Sequence, residues 1–107
     1  MNGSVLIISD DEAVQSKPNP QLIKAIAKSF YWNELILSEK AKSSTDIQKM
    51  ENLKTNTYVK NILRLRFLAP EIIEDILNGT QPRDLTVEKL FNVKSHNWKE
   101  QKNLILN

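Results

Sequence analysis

The chain has 107 residues, 40% of them hydrophobic, which suffices for one domain with a modest core but not for a catalytic domain beside a binding domain. It contains no cysteine and one histidine, which excludes a disulfide framework, thiolate metal sites and sites built from several histidines. The net charge of +2 is small, so any attraction to nucleic acid depends on where the charges lie.

The first segment, residues 1–19, predicts a short strand followed by a polar linker. The run Val5-Leu6-Ile7-Ile8 is apolar and mostly β-branched, and a lone strand exposes unpaired backbone groups. We therefore expect it to pair with another copy of the chain, to pair with a part of a larger protein, or to stay frayed. It is far shorter than the roughly 20 residues of a membrane span, and no basic stretch precedes it as in a secretory signal. We therefore expect a cytoplasmic protein with no membrane partner.

The next segment predicts a long helix over residues 20–37. Asn19 is a good capping residue, Pro20 suits the first helical position, and apolar residues recur with helical spacing at Leu22, Ile23, Ile26, Ala27 and Phe30. Between residues 30 and 37 apolar side chains cover so much of the circumference that two faces need burial. We expect this helix to be central or shared with a partner.

Two shorter helices are predicted next. One spans residues 45–52, with Ile47 and Met50 on its apolar side, and ends near Asn52, a residue type that tolerates a left-handed backbone. Leu53 fills the turn. The other begins at Thr55 as its cap and buries the side formed by Val59, Ile62 and Leu63, with the Arg66 stem and Phe67.

Three further helices complete an all-α prediction. Pro70 begins one that Gly79 ends, residues 86–91 form another, and Asn97 with Glu100 resembles a capping box for a last helix through Leu104. We expect Trp32 and Trp98 to be core anchors. The fold class is therefore about six helices around a helix-turn-helix core, with residues 20–107 as one domain behind the strand and linker.

The pair of short helices is the segment that suggests a function. No acidic residue occurs between Asn52 and Pro70, whereas several cations do. Many proteins use a short helix, a turn and a basic second helix to place that second helix in the major groove of DNA. The candidates for base contacts are Asn56, Thr57, Lys60 and Asn61, and those for phosphate contacts are Lys54, Lys49 and Arg64. Helical hairpins with polar outer faces are common, however, so periodicity alone leaves DNA binding open.

A resemblance favours the DNA-binding alternative. Its most specific portion runs from Leu68-Ala69-Pro70 to Gln81-Pro82. Further matching stretches are Asn19-Pro20-Gln21-Leu22, residues 23–28, Trp32, Tyr58-Val59, Leu63-Arg64-Leu65, residues 85–90 and Trp98-Lys99-Glu100-Gln101. Together they resemble the C-terminal region of bacterial site-specific recombinases of the serine resolvase/invertase class.

That resemblance implies a helix-turn-helix region that grips double-stranded DNA while a separate N-terminal domain cuts and rejoins it. No such catalytic domain precedes residue 20, so we expect no enzyme activity, small-molecule substrate, cofactor or metal. The turn between Leu53 and Tyr58 is one residue longer than the family pattern, and Asn56 and Thr57 stand where arginine is frequent. Fewer cationic contacts predict modest, strongly salt-dependent binding.

Protein association is the competing function. The apolar stretch from Phe30 to Leu37 and the unpaired strand could build a homodimer interface in a module, or a decayed recombinase remnant, with little DNA affinity. Both functions are compatible, since helix-turn-helix proteins commonly dimerise to match two half-sites. His96 lies in a polar connector and the acidic residues 10–12 have no second group to complete a site, so we assign neither a role.

Overall fold

The computed structural model describes residues 17–106 of the chain. The predicted strand at residues 5–8 lies outside them. Within the described range the chain is all-α, with six helices: α1 Pro20–Leu37, α2 Ser44–Met50, α3 Thr57–Arg64, α4 Pro70–Asn78, α5 Val87–Phe91 and α6 Trp98–Leu106. Over this same range, no helix is long and apolar enough to cross a membrane.

Helix α1 is the central element of the fold, as its apolar pattern predicts. The Asn19 side chain accepts hydrogen bonds from the backbone N–H of Gln21 and Leu22 at 3.0 and 3.2 Å, so the predicted cap is confirmed. The helix packs against α3, α4, α5 and the turn that follows α3. Its buried side carries Trp32, which is 1% exposed.

Only one of the two apolar faces of α1 is covered by the described part of the chain. Phe30, Tyr31 and Leu37 are 48%, 58% and 67% exposed, although they lie in the stretch whose pattern predicts burial all round. The covered face contributes to a single core that every helix shares through buried apolar residues, among them Ile47, Ile62, Ile72, Leu90 and Ile105.

Two predictions for the start and end of α3 are wrong. Thr55 is exposed and lies ahead of the helix; the N-cap position is Asn56, because the longer turn delays the first helical residue to Thr57. After Arg64 the chain tightens into a 3-10 turn, Leu65–Phe67, which directs Leu65 into the core. Arg66 and Phe67 are exposed as a consequence rather than packed beneath the helix.

The later helices begin and end close to the predicted residues. Gly79 ends α4 with φ +76, and Thr86 caps α5 by accepting a hydrogen bond from the backbone N–H of Lys89 at 3.1 Å. Gly79 also lies under the start of the described chain, where its carbonyl accepts a hydrogen bond from the backbone N–H of Lys17 at 2.8 Å. The chain ahead of α1 is thus held against the end of α4.

Helix α6 docks through a buried glutamine, not through its tryptophan. Asn97 Oδ1 accepts a hydrogen bond from the Glu100 N–H at 3.1 Å, which is one of the two bonds of the predicted capping box; the Asn97 N–H donates to Ser95 Oγ at 3.0 Å. Trp98 is 52% exposed, so its assignment as a core anchor is wrong. Gln101 takes the inward position: its Oε1 accepts from the Ala69 N–H at 2.7 Å, and its Nε2 donates to the carbonyls of Phe67 and Ser95. Trp98 lies on the same side of α6 one turn earlier, where its indole N–H donates to the Phe67 carbonyl at 3.3 Å while about half of the side chain stays exposed.

Candidate nucleic-acid interface

A tight turn joins α2 to α3 and fixes where α3 begins. Asn52 adopts φ +57, the left-handed conformation predicted for it. The N–H of Leu53 then donates to the carbonyl of Gln48 at 2.9 Å, and that of Asn52 to Lys49 at 3.2 Å, which is the pair of bonds that defines a Schellman turn. The Gln48 side chain also donates to the Leu53 carbonyl, so both the N–H and the C=O of Leu53 are hydrogen-bonded to Gln48.

Helix α3 has two clearly different sides. Val59 and Ile62 are buried in the core, with Leu63 partly buried beside them, as predicted. Positions 57, 60, 61 and 64 lie together on the opposite side, at the spacing of one helical face. We call Thr57, Lys60, Asn61 and Arg64 the α3 outer face; it carries hydroxyl, amide and cationic groups and no carboxylate.

The members of the α3 outer face differ in how free they are to reach a ligand. Thr57 and Lys60 are exposed. Asn61 and Arg64 are half-buried, and the Arg64 guanidinium donates to Asn61 Oδ1 at 2.6 Å and to the carbonyl of Phe91 at 3.1 Å. A phosphate would therefore compete with protein acceptors for Arg64, whereas Lys60 has no such competitor.

Asn56 is directed toward α2 and not outward. It is half-buried, its Oδ1 accepts a hydrogen bond from the Ser44 hydroxyl at 3.1 Å, and its Nδ2 is enclosed without a partner. Ser44 begins α2, so this contact ties the start of one helix to the start of the other. A direct base contact from Asn56 requires its side chain to turn out of this position.

The two remaining predicted lysines lie on either side of the turn. Lys49 is exposed in the last turn of α2, and Lys54 is exposed between the helices. The structure therefore brings Lys49 and Lys54 to the segment that precedes α3, while Lys60 and Arg64 follow along the helix itself.

Aromatic contacts hold α3 between α1 and α5. Tyr58 makes edge-to-face contacts with Trp32 of α1 and Phe91 of α5, both with ring centroids 6.1 Å apart. Lys28 of α1 lies over both Trp32 and Tyr58, 5.7 and 5.5 Å from their ring centroids. Periodicity did not reveal Lys28, because its partner is 30 residues further along the chain.

A second cationic group adjoins the far end of α3. Lys94 and His96, in the connector between α5 and α6, share a small cleft of about 50 Å³ with Asn61 and Arg64. Neither was among the predicted contacts, because a polar connector carries no periodicity that would place it beside α3. Both residues are exposed, and the Lys94 ammonium adds a cation beside Arg64.

The described residues offer no metal centre in this region, since none of their His, Asp and Glu side chains form a group of three or more that could hold a metal ion. Comparisons with protein-family models, curated proteins and solved structures gave no significant match. The candidate interface therefore rests on its residues and their geometry.

Proposed function

We propose that this chain binds double-stranded DNA sequence-specifically, with α2 and α3 as a helix-turn-helix and α3 as the recognition helix. The observation that carries the proposal is the α3 outer face: a carboxylate-free set of hydroxyl, amide and cationic groups on a helix whose other side is locked into the core. Such groups hydrogen-bond base edges and phosphates, and a rigid seat preserves their register on the duplex. The module resembles the DNA-binding end of a serine recombinase and carries out no strand transfer by itself.

The roles follow from exposure. Thr57 and Lys60 are free to contact base edges near the start of α3. Asn61 can also contact a base edge once the Arg64 guanidinium no longer donates to the Asn61 amide oxygen. Lys49, Lys54 and Arg64 contact phosphates on either side. Asn56 contributes chiefly by joining α3 to Ser44, with base contact as a second role if its side chain turns outward.

Three phosphate contacts per site set the expected salt dependence. The slope of log K against log salt concentration should be about −2.7, so affinity falls about 40-fold between 50 and 200 mM salt. A protein that binds nonspecifically through its net charge would instead lose affinity equally when cations outside α2 and α3 are replaced.

The test is fluorescence polarisation with duplexes enriched by in vitro selection from a random pool. Lys54→Glu combined with Lys60→Glu changes two exposed side chains and should abolish binding at 50 mM salt. The matched control, Arg83→Glu with Lys99→Glu, alters net charge equally at exposed positions outside α2 and α3, and should keep affinity within about threefold. Absence of binding by the wild-type chain at low salt, or equal losses in both variants, would reject the proposal.

A further inference from the structure

The uncovered side of α1 has the spacing of a helix-pairing seam. Residues Ile23, Ala27, Phe30, Glu34 and Leu37 follow one another at intervals of four, three, four and three positions, the pattern by which paired helices contact each other. We call these five residues the α1 seam. All except Ile23 are exposed, and Tyr31 lies exposed beside them. Ile23 also packs against the core, but the other four seam residues are absent from the core-facing set, so most of this seam is additional to the fold.

The charges on this side of α1 indicate what covers it. Lys24 and Glu34 are both exposed, and neither side chain forms an ion pair within residues 17–106, where the paired carboxylates are Asp84 and Glu71. Ten residues separate the two along one helix, about 15 Å, so they cannot reach each other in the same chain. An antiparallel second copy of α1 brings each lysine beside the other copy's glutamate.

The same register also matches size and shape. When Lys24 lies opposite Glu34, Ala27 lies opposite Tyr31, so a small side chain faces a large one. The two Phe30 rings then meet near the symmetry axis, displaced from each other by about 3 Å along the helix direction, which suits offset stacking. A parallel pair would instead place Glu34 against Glu34, where like charges repel.

We propose that two copies of this chain associate through antiparallel pairing of their α1 seams, with reciprocal Lys24–Glu34 ion pairs setting the register. The exposed fractions of Phe30, Tyr31 and Leu37 amount to about 700 Å² over two copies, and to about 1,000 Å² with their neighbours. That area lies at the low end of specific interfaces, so the dimer is weak, with a Kd on the order of 10 to 500 μM. Because α3 packs on the covered side of α1, the pairing leaves the α3 outer face unobstructed.

Sedimentation velocity of the purified chain, without DNA, from 5 to 500 μM tests the interface. Phe30→Ser should raise the Kd at least tenfold. Phe67→Ser is the matched control, because Phe67 is similarly exposed but lies outside α1; it should leave the Kd within about twofold. A chain that is monomeric at 500 μM, or a dimer that Phe67→Ser weakens as much as Phe30→Ser, would overturn the proposal.

A charge exchange tests the register. Lys24→Glu and Glu34→Lys each convert two attractive pairs into two repulsive ones, and each should weaken the dimer about tenfold at 50 mM salt and less at 500 mM. The double variant restores reciprocal attraction and should return the Kd to within about twofold of wild type. Additive weakening in the double variant would show that the two residues do not meet.

Dimerisation and DNA binding can fail separately. The sedimentation experiment contains no DNA, so loss of the proposed DNA binding leaves its outcome unchanged. Conversely, Phe30→Ser should still bind a single half-site duplex with about wild-type affinity, because the variant leaves α2 and α3 untouched.

Discussion

Replacing Gln101 by methionine should destabilise the domain by about 1 to 3 kcal/mol. Gln101 supplies the acceptor for the buried N–H of Ala69 at 2.7 Å, and a buried N–H left without a partner costs about 1 to 3 kcal/mol. Of its two donated bonds, the one to Phe67 is less critical, because that carbonyl retains the Trp98 indole N–H at 3.3 Å; the one to the Ser95 carbonyl is lost as well. Burial of the methionine side chain offsets part of the loss, which keeps the total within this range.

Urea unfolding followed by circular dichroism measures the effect. With an m-value of about 1.5 kcal/mol per molar, the midpoint should fall by about 0.7 to 2 M urea at unchanged m. Lys99→Met introduces the same residue at an exposed position two residues earlier in α6 and should change stability by less than about 0.5 kcal/mol. Equal stability of Gln101→Met and wild type would refute the claim that this glutamine joins α6 to α4.

Two further predictions concern the ends of α4. Gly79→Ala should destabilise by about 2 to 4 kcal/mol in the same assay, because φ is +76 and the added Cβ would lie 2.8 Å from the backbone nitrogen of Pro18; a loss below 1 kcal/mol would contradict this. The pKa of Glu71 is held below its ordinary value of 4.5 by its own backbone N–H and by Lys102, 3.2 Å away. Its contribution is therefore present above pH 4.5 and lost as pH falls through the lowered pKa, so the stability difference between wild type and Glu71→Gln should shrink as the pH is taken below 4.5.

Helix boundaries were largely predictable because they depend on local hydrogen bonds. The oxygens of Asn19 and Thr86 satisfy backbone N–H groups two or three residues ahead, and Gly79 and Asn52 adopt the left-handed conformation that their residue types permit. Those interactions are encoded within one turn of the chain. The sequence therefore located them without knowledge of the tertiary fold.

The predictions failed where the burial or hydrogen bonding of a side chain depends on a segment distant in sequence. Helical spacing placed Trp98 on the inward side of α6, but the buried residue of that side is Gln101, a polar residue that a hydrophobicity pattern assigns to the surface, whereas Trp98 in the first turn remains half exposed. Likewise, Arg64 looked free for a phosphate because its acceptor, the Phe91 carbonyl, lies 27 residues away. The sequence placed the candidate side chains on α2, the turn and α3, whereas the freedom of Arg64 depends on the packing of α5 against α3, which the sequence did not reveal.

The two tryptophans give the domain two optical reporters with separate environments. Trp32 is enclosed and touches Tyr58 of α3, so its emission should be short in wavelength and sensitive to any movement of that helix. Trp98 is half in solvent at the start of α6 and should respond to iodide quenching. A ligand that shifts α3 would alter the emission of Trp32, which is protected from the quencher. A ligand that disturbs α6 would alter the emission of Trp98, which the quencher can reach.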